Sequence, residues 1–448
     1  MNHLEKQSIP RLLVTYSLPA ILGLVINAAY TMIDRAFIGN LPNHHGPLAL
    51  SGIGVSMPLT TFIIAISACI ATGSLANIST ELGRKDFKKA RQLLGNALSI
   101  SILTGTSLTL AFYLFKMPIY RLLGANNEIL NYTDRFLSIL MIGTIFSILG
   151  FVIPMLIRAN GSPFVSAMIM ISGAVVNVVL DWLFIFKLNM GIEGPAIATV
   201  IAQIVVTITG VLYLFRPQSV LKPQKEDYRI HKDNFLAIFS IGMVPMFNQL
   251  SVSVAQIIAN WALQNYGGTL YIGAMASITS VVMIATMVLS GIAQGSMPII
   301  SFNIGRNNLK RVRETIKLSL ITCFIFLTGC TLLIVIFSDN IVSIFSNDNQ
   351  LIQIASHGLK LYGALMPLMA VTTLLPGYLS LVGYAKIAVN INIFKQLIMY
   401  GFAISILPLF LGKDGIWIAQ PVTEFTTLLV SIYFAKRYLF QAIQEETL

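Results

Sequence analysis

Ala71-Thr72-Gly73-Ser74-Leu75-Ala76-Asn77-Ile78-Ser79-Thr80-Glu81-Leu82-Gly83-Arg84 returns later in the chain as Ala293-Gln294-Gly295-Ser296-Met297-Pro298-Ile299-Ile300-Ser301-Phe302-Asn303-Ile304-Gly305-Arg306. A constant offset of 222 residues pairs Gly73 with Gly295, Gly83 with Gly305 and Arg84 with Arg306. The same offset runs through the bases that follow, Lys88 with Lys310 and Arg91 with Arg313. Farther along it joins Pro154 to Pro376 and Gly161 to Gly383. Agreement over this many positions, at matching places in the hydropathy pattern, marks a duplicated half.

Around this repeat the chain is overwhelmingly apolar. Of 448 residues, 56% are hydrophobic and only 10% charged, against about 25% charged in a soluble domain. The fold class read from this is an all-α polytopic membrane protein. Apolar runs long enough to span a bilayer fall near 10–38, 48–78, 92–115, 128–157, 164–186, 194–215, 234–264, 270–300, 315–337, 351–379, 388–410 and 415–435. Twelve spans in a duplicated chain give six transmembrane helices per half, in parallel orientation. The expected division is an N-terminal lobe at 1–215, a polar inter-lobe loop at 216–233, and a C-terminal lobe at 234–448. Two such repeats, with a site between them, follow the plan of an alternating-access transporter. Pro19, Pro58, Pro154, Pro245, Pro298, Pro367 and Pro376 lie within the spans, where neighbouring helices can re-satisfy the backbone that proline frees.

The net charge of +11 is explained by where the bases fall. With both termini cytoplasmic, the inner loops hold Arg84, Lys85, Lys88, Lys89, Arg158, Arg216, Lys222, Lys225, Arg229, Lys232, Arg306, Lys310, Arg311 and Lys386. The outer loops keep few, among them Lys116, Arg121, Lys187 and Lys413. This is a positive-inside pattern. The bases meet anionic lipid headgroups, and no nucleic acid need be invoked. Localisation in the cell membrane, multi-pass and without a cleaved leader, is the expectation. Cys69, Cys323 and Cys330 sit inside apolar runs without metal-ligand spacing and read as small core residues.

Against this background the intramembrane polar groups stand out. In Asn177-Val178-Val179-Leu180-Asp181 the amide precedes the acid by one helical turn on the same face. Asp181 either reaches the headgroup level or faces a polar cavity, and the intramembrane default is a functional acid. Asp34 near the end of the first span, Asp181 near the end of the fifth and Thr199 near the start of the sixth all lie roughly 7–8 Å below the outer edge. Two carboxylates, an amide and a hydroxyl are hard oxygen ligands, suited to a proton relay or Na⁺ and not to a soft metal. Thr199 taken alone is equally a packing hydroxyl. Asn27 and Tyr30, and Gln256 in the seventh span, are candidates for the relay or the substrate cavity, or ordinary packing. Lys395 and Glu424 in the last two spans are read as an intramembrane pair. Methionines such as Met243, Met275 and Met366 read as core, although a methionine-rich wall also suits varied apolar substrates.

These residues resemble the MATE (multidrug and toxic compound extrusion) family. Asp34-Arg35-Ala36-Phe37-Ile38-Gly39 is similar to the family's first-helix segment, and Gln294 to Gly305 to its eighth-helix segment. Asn177 to Asp181, followed by Phe184-Ile185-Phe186, resembles the fifth helix of the DinF-like branch and its MepA-like relatives. In that pattern a proline often follows the aspartate; here Trp182 does. The resemblance implies two six-helix lobes and an N-lobe cation site made of Asp34, Asn177, Asp181 and Thr199. It also implies export of organic cations and amphipathic compounds in exchange for Na⁺ or H⁺, the transported ion being the only cofactor. The acids that the NorM-like branch places in helices seven and ten are missing here.

A rival expectation is a lipid-linked intermediate flippase of the same superfamily, whose cavity is cationic. A membrane enzyme is disfavoured: His3, His44, His45, His231 and His357 lie at ends or loops, with no HExxH, nucleophile elbow or P-loop. The expected partners are therefore small cationic or amphipathic molecules and membrane lipids, acting on a monomer with no ATPase subunit.

Overall fold

The computed structural model describes residues 2–39, 46–123, 130–216, 219–266, 269–344 and 349–440, and every regular element among them is helical. In the first half, α1 is Ile9–Gly39, α2 Gly46–Gly83 and α3 Phe87–Leu122. Helix α4 is broken into α4a (Leu130–Ile142) and α4b (Thr144–Ala159), bent by 53° at Gly143. Helix α5, Pro163–Trp182, runs on into a π-helical turn at Leu183–Lys187, and α6 is Glu193–Leu214.

The second half repeats the order. Helices α7, α8 and α9 are Lys232–Tyr266, Thr269–Gly305 and Leu309–Ser343. Helix α10 is broken into α10a (Asn349–Gly363) and α10b (Met369–Leu381), with a 3₁₀ turn at Met366–Leu368 and a bend of 44°. Helix α11 joins Ala385–Ile393 to Tyr400–Leu411 through a π-helical turn at Phe394–Met399, and α12 is Asp414–Phe434.

Among the described residues, nine helices and the two bent pairs are long and apolar enough to cross a membrane. Helix α12 has the length, but Asp414, Gln420 and Glu424 make it less apolar. The fourth and tenth spans, continuous in the sequence reading, are the broken ones. Gly143 breaks the first, and Pro367 falls in the 3₁₀ turn of the second, where it cannot extend a helix.

The 222-residue offset recurs in backbone detail. Asp86 accepts from the Lys89 N–H at the start of α3, and Asn308 accepts from the Arg311 N–H at the start of α9, each satisfying an orphan helical donor. Lys85 and Asn307 both take positive φ, 66° and 56°, in the turns before these caps. Phe115 and Phe337 leave helical geometry at nearly identical angles, φ −120°, ψ 20° and φ −118°, ψ 20°.

The helices pack as two compact units, Met1–Lys6 with Leu18–Gly242, and Gln7–Ser17 with Met243–Leu448. Their boundaries fall inside α1 and α7. In the first unit, a Cβ on Gly73 of α2 would collide with the Ile238 carbonyl of α7. Asn77 Nδ2, one turn on, donates to the Ala237 carbonyl at 3.0 Å. In the second unit, a Cβ on Gly295 of α8 would collide with Ser17 of α1. The repeated glycine thus lets each half's second helix seat the opening turns of the other half's first helix.

Large apolar side chains cover the outer faces, for example Leu114 (68% exposed), Ile325 (65%), Ile336 (67%) and Phe410 (79%). Exposed apolar surface on this scale belongs against lipid.

Candidate functional site

Within the first unit, α5 and α6 are neighbours, and their facing turns carry the polar groups. Asp181 is fully buried and Asn177 is 2% exposed. The Asn177 amide settles between two neighbours: Nδ2 donates to Asp181 Oδ2 at 3.1 Å, and the side-chain oxygen accepts from the Thr199 backbone N–H at 3.3 Å. With the amide reversed, Nδ2 instead faces Thr199 Oγ1 at 3.4 Å. An ionised carboxylate only accepts hydrogen bonds, which selects the first orientation. Asn177 therefore bridges the acid and the Thr199 backbone.

The local backbone explains where the acid sits. Trp182, standing where a proline is common, keeps helical angles of φ −58°, ψ −46°. The helix changes pitch just after it, as Leu188 N–H bonds to the Leu183 carbonyl at 3.0 Å across five residues. A single π turn within a helix is a frequent mark of functional segments. Glu193 and Gly194 then start α6, with Gly194 close against Phe184, so Thr199 on the descending helix comes level with Asn177.

The polar track continues one turn deeper through residues that the sequence reading did not select. Gln203 follows Thr199 by four residues, and its side-chain oxygen accepts from Ser147 Oγ at 2.5 Å. The i, i+4 spacing of Thr199 and Gln203 was the available signal. Asp34, Asn27 and Tyr30 lie on α1, but their side chains fall outside the described residues. Gln256 is exposed on α7.

The second unit has its own buried charges. Lys395 Nζ lies 2.8 Å from Glu424 Oε1, with side chains 7% and 1% exposed. Lys395 also donates to Thr372 Oγ1 at 2.9 Å, and that hydroxyl donates to Glu424 Oε2 at 2.5 Å. Gln420 Nε2 completes the shell, donating to Glu424 Oε1 at 2.8 Å. Lys395 and Glu424 each sit ten residues into their helices, about 15 Å along the axis and so near mid-depth. Lys395 lies in the π turn of α11. Sequence reasoning named the two charges but missed Thr372, a lone hydroxyl in an apolar helix.

With Glu424 engaged by Lys395, Thr372 and Gln420, the pair in the second unit leaves no oxygen vacant for a cation. Among the described residues no group of three or more His, Cys, Asp or Glu could hold a metal ion.

Comparison with known proteins bears on the whole chain. The model of a family described as MatE matches residues 19–183 and again 245–404. The multidrug export protein MepA of Staphylococcus haemolyticus (strain JCSC1435) is 26% identical over 432 residues, covering 96% of this chain and 94% of that protein. Among solved structures, a multidrug resistance MATE family transporter of the MOP superfamily in an outward-facing conformation superposes with a TM-score of 0.93 at 19% identity, covering 99% of this chain and 98% of that one. A MOP superfamily transporter from Pyrococcus furiosus Vc1 (DSM3638), described as having a binding pocket of reverse polarity and a suggested different function, gives 0.91 at 20% identity with the same coverage. At these identities the superpositions speak for the fold alone.

Proposed function

The chain belongs to the MatE family, and on that footing we propose that it is an antiporter driven by H⁺ or Na⁺ that exports organic cations and amphipathic drugs. It is a multi-pass membrane transporter and not an enzyme. The single observation that carries the coupling assignment is the buried carboxylate of Asp181, bonded through the Asn177 amide to Thr199. A buried acid of this kind in a membrane is costly to keep charged, which makes it responsive to an arriving cation.

In this reading a proton or Na⁺ entering from outside neutralises Asp181, and Asp34 of α1 takes part as the second acid of the site. Neutralisation weakens the hydrogen bond that Asn177 Nδ2 gives the carboxylate. Binding of the ion can drive export only if ion and substrate favour different states of the transporter or compete, since a ligand with equal affinity for both shifts nothing. The names of relatives such as the MepA protein support drug-like cargo. An anionic ion site agrees with cationic cargo better than with the pyrophosphate of a lipid-linked intermediate.

The distribution of bases supports a cytoplasmic side for both termini. The test is uphill movement of a cationic dye in proteoliposomes, under a Na⁺ gradient at fixed pH and then a pH gradient without Na⁺. Accumulation against the dye gradient under at least one of them is expected. Equilibrating flux indifferent to both would overturn the reading.

A further inference from the structure

We propose that a cavity of about 380 Å³ beside the inter-lobe segment binds the phosphate of an anionic lipid headgroup. Phe87 and Arg91 of α3 and residues 219–224 of the segment line it. It lies where the apolar span of α3 begins at Phe87 and just beyond the end of α6 at Leu214, at the level of a membrane surface.

Its wall is built rather than incidental. Asn96 Nδ2 of α3 donates to the carbonyls of Asp227 (2.8 Å) and Arg229 (2.9 Å), and Ser99 Oγ to that of Tyr228 (2.8 Å). The His231 N–H returns a bond to Asn96 Oδ1 at 2.9 Å. At the other end Asn160 Nδ2 donates to Ser219 Oγ at 2.9 Å. The segment is thereby fastened along α3. A Cβ at position 95 would strike the Asp227 carbonyl, and the chain has glycine there.

Asp227, 2% exposed, accepts from the Gln224 N–H at 2.8 Å and holds Arg91 Nε at 2.6 Å. The ion pair keeps the guanidinium at the cavity wall, and the two terminal amino groups of Arg91 have no acceptor among the described residues. The paired terminal amino groups of a guanidinium are what a phosphate takes up best. Lys222, exposed on the same wall, adds a second cation. Asp86 already caps α3 through the Lys89 N–H, so the attraction comes from the two cations and not from the helix end.

The source of the phosphate is decided by the rim. Phe87 (49% exposed) and Val220 (44%) set apolar surface beside the bases. Hydrocarbon next to phosphate is the chemistry of a lipid, and on the cytoplasmic reading this face meets the anionic leaflet. The proposal rests on that orientation and on nothing about the coupling ion.

Native mass spectrometry of the detergent-solubilised protein tests it, with dihexanoyl phosphatidylglycerol, dihexanoyl phosphatidylcholine and inorganic phosphate as probes. Phosphatidylglycerol should bind at least about tenfold more tightly than phosphatidylcholine, whose choline ammonium offsets the phosphate charge that Arg91 and Lys222 attract. Lys222→Glu, an exposed change that leaves the fold intact, should remove the preference. Arg91→Gln should do the same, and Arg91→Lys should retain part of it. Equal binding of the two lipids, or an unchanged preference in Lys222→Glu, would overturn the proposal. Inorganic phosphate binding as tightly and displacing the lipid would overturn the lipid assignment in favour of a free-phosphate site. The readout is independent of efflux, so its failure and that of the transport reading are separable.

Discussion

At Asp181 and at Lys395 the two halves of one duplicated chain have placed charge at different positions. The 222-residue offset sets Asp181, Asn177 and Thr199 against Ala403, Met399 and Pro421, and sets Lys395, Thr372 and Glu424 against Gly173, Gly150 and Ala202. Each half is thus small or apolar where the other is polar. The N-terminal group was legible in the sequence because an acid and an amide one turn apart in an apolar run have few bland explanations. Gln203, Ser147 and Thr372 were not, since a hydroxyl or amide in a membrane helix usually bonds to its own helix or a neighbour. The two groups predict opposite mutational behaviour. Lys395→Met leaves Glu424 buried without its cation and should destabilise the protein by about 3–5 kcal/mol, while Lys395→Met combined with Glu424→Gln should recover most of that loss. Thermal unfolding in detergent measures both, and additive losses would refute a neutral structural pair. Asn177→Leu, in contrast, should leave the melting temperature within a few degrees and reduce ion-driven efflux at least about tenfold, the size of a lost charge-assisted hydrogen bond. Undiminished efflux would remove Asn177 from the site.

Helix positions followed directly from apolar run length, and the sequence estimates lie within a few residues of most helix ends. The breaks did not follow. Pro154 and Pro376, the prolines matched by the repeat, stay inside α4b and α10b, and the bends occur earlier, at Gly143 and around Pro367. Proline marks a possible kink, and packing decides which is used. The departure from helical angles at Phe115 and Phe337 has Pro118 three residues on in α3 but no proline in the matching place of α9, so the duplicated fold and not the residue requires it. The glycine of the repeated motif, in contrast, has a clear purpose: it is where α2 and α8 touch another backbone. Gly73→Val and Gly295→Val should each cost at least about 1–3 kcal/mol through forced separation of packed helices. Valine at Gly377, where a side chain meets nothing within 4 Å, should be tolerated. Comparable melting temperatures for all three would contradict the close-approach explanation.

At the scale of the molecule, a duplicated set of helices gives a MatE-family transporter whose two compact units divide within α1 and α7 rather than in the connecting segment. The repeat announced two halves. It did not announce that the opening turns of α1 and α7 would pack with the opposite half, because hydropathy records burial and not which neighbour provides it. The charge asymmetry makes a prediction at this scale: Lys222→Cys should react with a membrane-impermeant thiol reagent only from the cytoplasm, and Leu188→Cys only from outside. The reverse pattern would invert the orientation and with it the direction of export. The central claim is that Asp181 couples the ion gradient to substrate movement, and Asp181→Asn in proteoliposomes tests it most directly. The account predicts that this variant still binds a cationic dye at equilibrium but no longer accumulates it against a gradient under an imposed proton or Na⁺ gradient. Full gradient-driven accumulation by Asp181→Asn would contradict it.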